Sequence, residues 1–379
     1  MTPLVSIILP TFNRSAWTLE AIESVRRQTY PGWEAVVVDD GSTDDTLVLL
    51  EQIAQTERRL KVLARDRLPK GAPTCRNVGL HAARGECVIY LDSDDLLAPH
   101  CLAGRVEALA RHPGADFVVF PMLRFAETPG DSRRLWNTIT PEPDVCRFAR
   151  GDSVWQTTGP IWRKGALLRI GGFDEALTAW QDVDLHLRAL LDGLRYVKRL
   201  GAKPDAFVRR HTRGSISQGG LKSREALRSM IRVFQKACNA VGRPGEPAGL
   251  RLTLLYSLNR ILRVSVPHQF MDLSEEALGI ARRAGLLDHP AGLTPANEAF
   301  LRLRQLRRTR RFCPQADLPD EALLRELGRL RYGLFWLWHK CQRPGQKAVY
   351  WSRRHSILRG SGEERVECAV EAASGTQTP

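Results

Sequence analysis

Several features that would mark a membrane-spanning, secreted or zinc-binding protein are missing from this sequence. It contains no apolar run of about 18 residues, so we predict no membrane-spanning helix. The apolar N-terminal stretch has no basic segment before it and no small-residue cleavage site, so we interpret it as a buried strand and not as a signal peptide. The eight cysteines form no C-x-x-C pair and have no histidine cluster nearby. This argues against a zinc site or a disulfide framework and favours a reducing cytosol.

Two nucleotide-binding motifs are also missing. No G-x-G-x-x-G follows the first predicted strand, which disfavours a dinucleotide enzyme that transfers hydride. No G-x-x-x-x-G-K-[ST] occurs, which disfavours a kinase or NTPase. A nucleotidyltransferase is the nearest remaining enzyme alternative, because it would share an α/β fold and an acidic metal site. It would need a different phosphate-binding loop near the N-terminus, and we find none.

Acidic residues are in the minority, since 42 Asp and Glu stand against 56 Lys and Arg and the net charge is +14. Such a balance favours anionic partners, namely nucleotides, phospholipid headgroups or nucleic acid. Arginines scattered over a solvated surface would give the same total. The alternative of a basic membrane- or nucleic-acid-binding protein depends on the C-terminal part. There an arginine run at 302–311 precedes aromatic residues at 332–338, which predict an interfacial helix unless they pack in a core.

Strand-like and helix-like segments alternate from the N-terminus to about residue 215. The predicted strands are 4–9, 33–38, 60–63 and 87–91, and the predicted helices are 15–28, 43–55 and 72–83. We expect the first strand to stop at Pro10 and Ser15 to cap the first helix. Ser42 and Asp45 have the spacing of a capping box for the second helix. The alternation predicts an α/β fold with a mostly parallel sheet flanked by helices.

Strand signals nearly vanish after about residue 220, where helical segments are separated by Gly- and Pro-containing breaks. The predicted helices of this part are 223–240, 250–264, 274–284, 295–308 and 319–340. We therefore divide the chain into an α/β domain at 1–220 and a helical C-terminal domain of unknown role at 221–359. The polar stretch at 360–379 is typical of a disordered tail.

Two acidic groups follow predicted strands. Asp39-Asp40 comes after the second strand, and Asp92-Ser93-Asp94-Asp95 comes directly after the fourth. In parallel sheets, ligands bind at the carboxyl ends of strands. Three carboxylates within four residues repel one another unless a cation or basic side chains lie nearby. Oxygen ligands of this kind select Mg²⁺ or Mn²⁺ and bridge the ion to substrate phosphates. Simple polar turns are the alternative at both places.

Two further segments carry side chains suited to group transfer. Asp182 lies at the start of a predicted helix, where the helix dipole would hold its carboxylate ionised and able to take a proton from a hydroxyl. Alternatively, Asp182 only stabilises that helix. The segment 209–217 contains clustered Arg, His and hydroxyl side chains that suit diphosphate binding, or else it is a basic surface loop.

Taken together, these stretches resemble family 2 inverting glycosyltransferases of the GT-A fold. The resemblance covers about residues 4–215 and leaves 221–379 unexplained. It rests on the order and spacing of SIILPTFNR at 6–14, VVVDDGSTD at 36–44, GAPTCRNVG at 71–79, ARGE at 83–86, IYLDSDD at 89–95, GGFDE at 171–175 and QD at 181–182. The chain has Gln181 where the family commonly has Glu, but it keeps the following Asp.

The resemblance implies a metal-dependent enzyme that moves a sugar, with inversion, from a nucleotide-diphosphate donor to an acceptor hydroxyl. The expected donor is a UDP-sugar, and the expected acceptor is a carbohydrate, a lipid-linked group or another hydroxyl compound. We expect a cytoplasmic enzyme of cell-envelope polysaccharide, glycolipid or glycoconjugate synthesis that can associate peripherally with the inner face of the membrane. Nucleic acid is not an expected partner.

The resemblance also implies roles for individual residues. Asp182 is the expected catalytic base, and Asp94 is the expected ligand of the Mn²⁺ or Mg²⁺ ion that bridges the diphosphate. Asp95 is expected to support the cluster. The expected contacts to the nucleotide sugar are Pro10, Thr11, Phe12, Asn13, Asp39, Arg76, Asn77, Asp92, Ser93, His211 and Arg213.

Overall fold

The structure is a computed structural model that describes residues 2–137, 142–210, 223–265 and 268–287. Its strands are β1 (Val5–Thr11), β2 (Trp33–Asp39), β3 (Leu60–Ala64), β4 (Cys87–Tyr90), β5 (Leu96–Leu97), β6 (Phe117–Val119), β7 (Met122–Phe125), β8 (Pro160–Arg163), β9 (Tyr196–Lys198) and β10 (Ala206–Arg209). Its helices are α1 (Ser15–Arg26), α2 (Thr46–Thr56), α3 (Ala72–Ala82), α4 (Cys101–Arg111), α5 (Asp144–Ala149), α6 (Lys164–Arg169), α7 (Gln181–Leu191), α8 (Arg224–Cys238), α9 (Leu250–Ser265) and α10 (Met271–Arg283).

A seven-stranded sheet in the order β3-β2-β1-β4-β8-β6-β9 forms the centre of the fold. The first four of these strands are parallel to one another, and β8 runs antiparallel to both of its neighbours. All seven residues of β1 and all seven of β2 are buried, as expected for strands covered by helices on both faces. A second sheet, β5-β10-β7, has three strands. The prediction of a mostly parallel sheet flanked by helices is confirmed.

The first strand does not stop at Pro10, contrary to our expectation. It continues to Thr11, with Pro10 opposite Val38 of β2. Proline cannot donate a hydrogen bond to a neighbouring strand and is therefore tolerated at open edges. The pairing of β1 with β4 ends at Ile8, so the segment that contains Pro10 has a partner on one side only.

The predicted caps of α1 and α2 are wrong. Ser15 is the first residue of α1 and does not cap it, and α2 begins at Thr46, three residues later than predicted. Asp44 Oδ1 accepts a hydrogen bond from the N–H of Thr46 at 3.0 Å. Ser42 instead bonds across to the loop after β1. A tertiary contact between two loops has therefore replaced the local capping box.

Helices α8, α9 and α10 correspond to three of the helices predicted in the C-terminal part. Ser223 caps α8 by accepting a hydrogen bond from the N–H of Ala226. Buried side chains of all three helices belong to the same hydrophobic core as the large sheet. The helices predicted at 295–308 and 319–340, the basic and aromatic runs there and the tail from 360 lie outside the described residues, and the division near residue 220 stays a prediction. Within the described ranges no helix is both long and apolar enough to cross a membrane.

Candidate active site

The carboxyl ends of β1, β2 and β4 meet at one edge of the large sheet. Thr11, the last residue of β1, is in register with Asp39, the last residue of β2. Asp92 follows β4 after one intervening residue. This edge of a parallel sheet is where α/β proteins bind ligands. The predicted placement of both acidic groups at strand ends is therefore confirmed.

Asp39 closes the turn after β2. Its Oδ2 accepts hydrogen bonds from the N–H groups of Gly41 at 2.9 Å and Ser42 at 2.8 Å. Gly41 has a φ of +83°, a left-handed conformation that glycine adopts without strain. Because a carboxylate offers about four acceptor sites, Asp39 can shape this turn and still accept from a ligand. Its contact with a nucleobase stays a prediction.

Asn13 joins the loop after β1 to the loop after β2. Its N–H donates to Ser42 Oγ at 2.9 Å, and its Oδ1 accepts from the N–H of Thr43 at 2.7 Å. The side chain of the preceding Phe12 is 39% exposed, and Lys70 Nζ lies 3.5 Å from the centroid of its ring. The loops therefore present an aromatic face with a cation over it, where the sequence predicts contact with a base.

Other predicted nucleotide-sugar contacts are buried and serve the fold in this structure. Pro10 lies within β1, and the Thr11 hydroxyl bonds to a hydroxyl of α1 at 2.7 Å. Asn77 exchanges two hydrogen bonds with the backbone of Phe173, both at 2.9 Å. Ser93 is 5% exposed. Asn77 thereby holds the GGFDE segment against α3, which gives it a structural task in addition to the predicted one.

Arg76 connects the acidic cluster to the start of α7. Its Nη2 lies 2.6 Å from Asp92 Oδ1, and its Nη1 donates to Gln181 Oε1 at 3.2 Å. The guanidinium carbon is 4.9 Å from the centroid of the Phe173 ring, and Arg76 is only 6% exposed. A planar guanidinium can hold two partners in fixed directions. Gln181, the departure from the family pattern, thus accepts from the same arginine that neutralises Asp92.

Asp94 forms an ion pair with Arg14, which precedes α1. Arg14 Nη1 lies 2.6 Å from Asp94 Oδ2, and the two side chains are 26% and 15% exposed. Arg14 falls within the SIILPTFNR motif, but the sequence pattern assigned it no role. The cation that the acidic cluster requires is therefore supplied at this carboxylate by the chain itself.

Asp95 is the most buried of the three carboxylates and is surrounded by donors. Its Oδ2 accepts from Gln156 Nε2 and Thr158 Oγ1, both at 3.1 Å, and its Oδ1 accepts from the N–H of Arg209 at 3.2 Å. Burial, together with the nearby charges of Asp94 and the first carboxylate of the cluster, raises the pKa of Asp95 well above its usual value. Nothing in the sequence pointed to Gln156 or Thr158, because they lie far from Asp95 along the chain.

The cluster fits a metal ion that is shared with a substrate. In the described part of the chain no group of three or more His, Cys, Asp or Glu side chains converges as a closed metal site. The side chains of Asp92 and Asp94 are nevertheless 23% and 15% exposed. Mg²⁺ is often held by one or two carboxylates plus substrate phosphates. This donor set suits such an ion in the company of a diphosphate.

Asp182 lies in the first turn of α7 and is partly buried. Ser153 Oγ donates to Asp182 Oδ2 at 2.9 Å and lies at the same distance from the carbonyl oxygen of Trp155. Burial raises the pKa of Asp182, although Ser153, the N–H of Val183 and Arg76 oppose the rise. Desolvation thus opposes the helix dipole that was expected to hold the Asp182 carboxylate ionised, and the ionised state of Asp182 stays a prediction. A raised pKa makes the carboxylate a stronger base.

His186 follows Asp182 by one helical turn but is not an alternative base. It is fully buried, and its ring stacks on Trp162 with the centroids 5.8 Å apart. Burial lowers the pKa of His186 to about 3, so the ring is neutral near pH 7. His186 belongs to the core that supports α7.

The predicted basic segment begins beside the acidic cluster. Arg209, at the end of β10, donates from Nε to the carbonyl oxygen of Asp94 at 3.1 Å. His211 and Arg213, the predicted diphosphate contacts, lie outside the described residues. The strand that leads to them therefore ends at the site.

Sequence comparisons find relatives of the part of the chain that carries this site. Residues 6–176 match the family Glycosyl transferase family 2. Glycosyltransferase GlyG of Streptococcus pneumoniae is 28% identical over 131 residues, which are 35% of this chain and 43% of that protein. Putative glycosyltransferase EpsE of Bacillus subtilis is 27% identical over 295 residues, 76% of this chain and 98% of that protein. The chain thus spans less than half of GlyG but nearly all of EpsE.

A solved structure shows the same architecture. The crystal structure of S. aureus TarS 1-349 in complex with UDP-GlcNAc matches with a TM-score of 0.62 and 22% sequence identity, and the match covers 81% of this chain and 89% of that one. At this identity the match establishes the fold, which is of the GT-A type.

Proposed function

We propose that the chain, whose residues 6–176 match Glycosyl transferase family 2, moves a sugar from a nucleotide-diphosphate donor to an acceptor hydroxyl. One observation carries the proposal. Arg76 contacts both Asp92, after β4, and Gln181, at the start of α7. The acidic cluster and the neighbouring Asp182 thus belong to a single site. Because one displacement by the acceptor oxygen would expel the nucleoside diphosphate, the anomeric carbon is inverted.

A UDP-sugar is the first donor to consider. Phe12 offers an exposed ring for a base, and Lys70 lies over it. Arg14 and Arg76 place two guanidinium groups against the acidic cluster, and such groups bind phosphate oxygens well. S. aureus TarS has been solved in complex with UDP-GlcNAc, which supports UDP-GlcNAc as the starting compound.

Asp94 would hold Mn²⁺ or Mg²⁺ together with the diphosphate, with Asp92 beside it. When bound, the ion would offset the negative charge of the leaving diphosphate. Arg14 already neutralises Asp94, so it would share this carboxylate with the ion or release it. A released guanidinium is suited to a diphosphate oxygen.

Asp182 would accept the proton of the attacking hydroxyl. A serine hydroxyl has one hydrogen and can also accept, so Ser153 suits both protonation states of Asp182. While the carboxylate is ionised, Ser153 donates to it. Once Asp182 has taken the proton it can donate to Ser153, whose own hydrogen then goes to the carbonyl oxygen of Trp155, 2.9 Å away. Ser153 therefore stays hydrogen-bonded to Asp182 in both states.

A metal-dependent thermal-shift screen followed by transfer assays tests this function. We expect one nucleotide sugar to raise the melting temperature of the protein only when Mn²⁺ is present, and UDP-GlcNAc is the first to test. In Asp94→Ala this metal-dependent stabilisation should be lost. Asp182→Asn should bind the same donor normally but release UDP about 1,000-fold more slowly. Release of pyrophosphate from UTP and a sugar 1-phosphate, with no transfer from UDP-GlcNAc, would favour the nucleotidyltransferase alternative. Wild-type transfer by both variants would refute the site assignment.

The acceptor is proposed to be a sugar hydroxyl of a cell-envelope polysaccharide, free or lipid-linked. Putative teichuronic acid biosynthesis glycosyltransferase TuaG of B. subtilis is 40% identical over 130 residues, 34% of this chain and 51% of that protein. The assignment of TuaG to teichuronic acid biosynthesis supports a polysaccharide acceptor. Matched free and lipid-linked oligosaccharides would separate the two forms, and transfer to neither would contradict this acceptor class.

A further inference from the structure

Helix α9 lies beyond residues 6–176, yet it contacts both segments that hold Asp182, and α8 contacts residues on either side of the second segment. The first segment, which we call the 150–153 loop, follows α5 and carries Ser153. The second is Trp180, the residue immediately before α7. These contacts give the C-terminal helices a place at the proposed site.

Trp180 has an unusual backbone conformation, and its side chain is closely packed. Its φ is +60°, in the left-handed region that a bulky residue occupies only when its surroundings hold it there. Its ring packs directly on Gly151 of the 150–153 loop. A Cβ atom added at Gly151 would lie 2.2 Å from the ring, and the φ of Gly151 is itself +75°. Only glycine leaves room for the indole here.

Arg260 of α9 contacts both the Trp180 ring and the 150–153 loop on which the ring packs. Its guanidinium carbon lies 5.0 Å from the centroid of the Trp180 ring, within cation–π range. Its Nη1 also donates to the carbonyl oxygen of Arg150 at 3.0 Å. One turn earlier on α9, Ser257 donates to the carbonyl oxygen of Ala149 at 2.8 Å. A single helix therefore holds both the indole and the loop on which it rests.

Helix α8 restrains α7 from another direction. Ser229 Oγ accepts from the N–H of Thr178 at 3.1 Å. Lys236 Nζ lies 2.7 Å from Asp174 Oδ2 and 2.5 Å from Asp184 Oδ1, and Asp184 is fully buried. The ammonium thus connects the segment before α7 to its first turn.

We propose that α9 positions the catalytic base: Arg260 holds Trp180 against Gly151 and thereby fixes the first turn of α7, which carries Asp182. This inference rests on the proposed role of Asp182. Arg260 is a positioning residue, because it contacts Trp180 and the 150–153 loop and not the acidic cluster. A displacement of about 1 Å at a reacting group can cost roughly 100-fold in rate, so such a restraint would act on turnover and not on donor binding.

The test compares Arg260→Ala with Arg251→Ala in the full chain. Arg251 is also on α9, but it pairs with Glu246 at 2.9 Å. Hydrogen exchange measured by mass spectrometry should show faster exchange at 178–184 in Arg260→Ala only. With UDP-GlcNAc as the probe, kcat should fall roughly 10- to 100-fold while the Kd for UDP and Mn²⁺ changes less than about twofold.

Gly151→Ala disturbs the packing of Trp180 from the side of the 150–153 loop, because the added methyl group would clash with the indole ring. Because both substitutions act through Trp180, Arg260→Ala combined with Gly151→Ala should be hardly slower than the slower single variant. Normal exchange at 178–184 with normal kcat in Arg260→Ala, or a double variant whose losses multiply, would overturn the inference. Normal turnover by Asp182→Asn would instead refute the base itself, so the two failures are distinguishable.

Discussion

The two sides of the site are built differently. On the nucleotide side, the loops after β1 and β2 lie in one continuous part of the chain: Asp39 closes its own turn, and Asn13 bonds to Thr43 of the next loop, 30 residues further on. On the base side, Asp182 depends on the 150–153 loop, α7, α8 and α9, which lie far apart along the chain. The nucleotide-side loops are thus built within residues 11–46, whereas the support of the base draws on segments between residues 150 and 260.

Arg76 joins the two sides of the site, so its replacement should have the largest effect on activity. In Arg76→Ala, Asp92 would lose its cation and Gln181 its donor. Removing one partner of a largely buried ion pair is costly. We expect kcat/KM for the donor to fall roughly 100-fold or more. Arg76→Lys should recover part of the loss, because an ammonium keeps the charge but not the planar fork. Full activity in Arg76→Ala would show that the two sides act independently.

Replacement of Arg14 should affect only the nucleotide side, where it should strengthen the binding of Mn²⁺. Without the ion pair to Asp94, Arg14→Ala should bind Mn²⁺ about fivefold more tightly in the absence of nucleotide, since a partly exposed pair is worth about 1 kcal/mol. Electron paramagnetic resonance of free Mn²⁺ measures this affinity directly. Arg27→Ala, which removes an exposed pair with Glu23, serves as the control. Weaker Mn²⁺ binding in Arg14→Ala would mean that Arg14 does not compete with the ion.

Asn13→Gly tests whether the loop contacts serve binding alone. Glycine tolerates the φ of +49° at this position but removes the side-chain hydrogen bonds to Thr43. We expect the Kd for UDP to rise about threefold, as for one modest hydrogen bond, with kcat unchanged. Calorimetry gives the affinity, and Asn13→Ala should be worse because alanine disfavours this φ. A fall in kcat at unchanged affinity would contradict a purely binding role.

Ser153→Ala should produce the smallest effect, confined to the pH dependence. The Ser153 hydroxyl favours the ionised form of Asp182 and lowers its pKa. Without it the pKa of Asp182 rises further, so the acid limb of the rate profile should move to higher pH while the plateau is retained. Ser153→Thr keeps the hydroxyl and should leave the limb in place. An acid limb that does not move would show that Ser153 is not coupled to the base.

Much of this fold was predictable from the sequence. The strands β1 to β4 and the helices α3, α7, α8 and α9 were recognisable because apolar periodicity reports burial directly. The ends of elements were less predictable. Ser15 and Ser42 both looked like caps, but Ser42 bonds to Asn13 of another loop instead. Local spacing could not show this, because a partner elsewhere in the fold competes for the same side chain.

The sequence by itself determined the class of fold, the match of its N-terminal part to family 2 glycosyltransferases and the position of the acidic cluster at a strand end, because these depend on local patterns and on a recognisable order of motifs. Only the tertiary structure decided which side chains surround each carboxylate: Arg14 lies beside Asp94, and Gln156 and Thr158 lie beside Asp95. It likewise placed Ser153 beside Asp182 and Arg260 of α9 over Trp180. Burial and neighbouring charge set the pKa of a carboxyl group, and both come from segments that meet only when the chain folds.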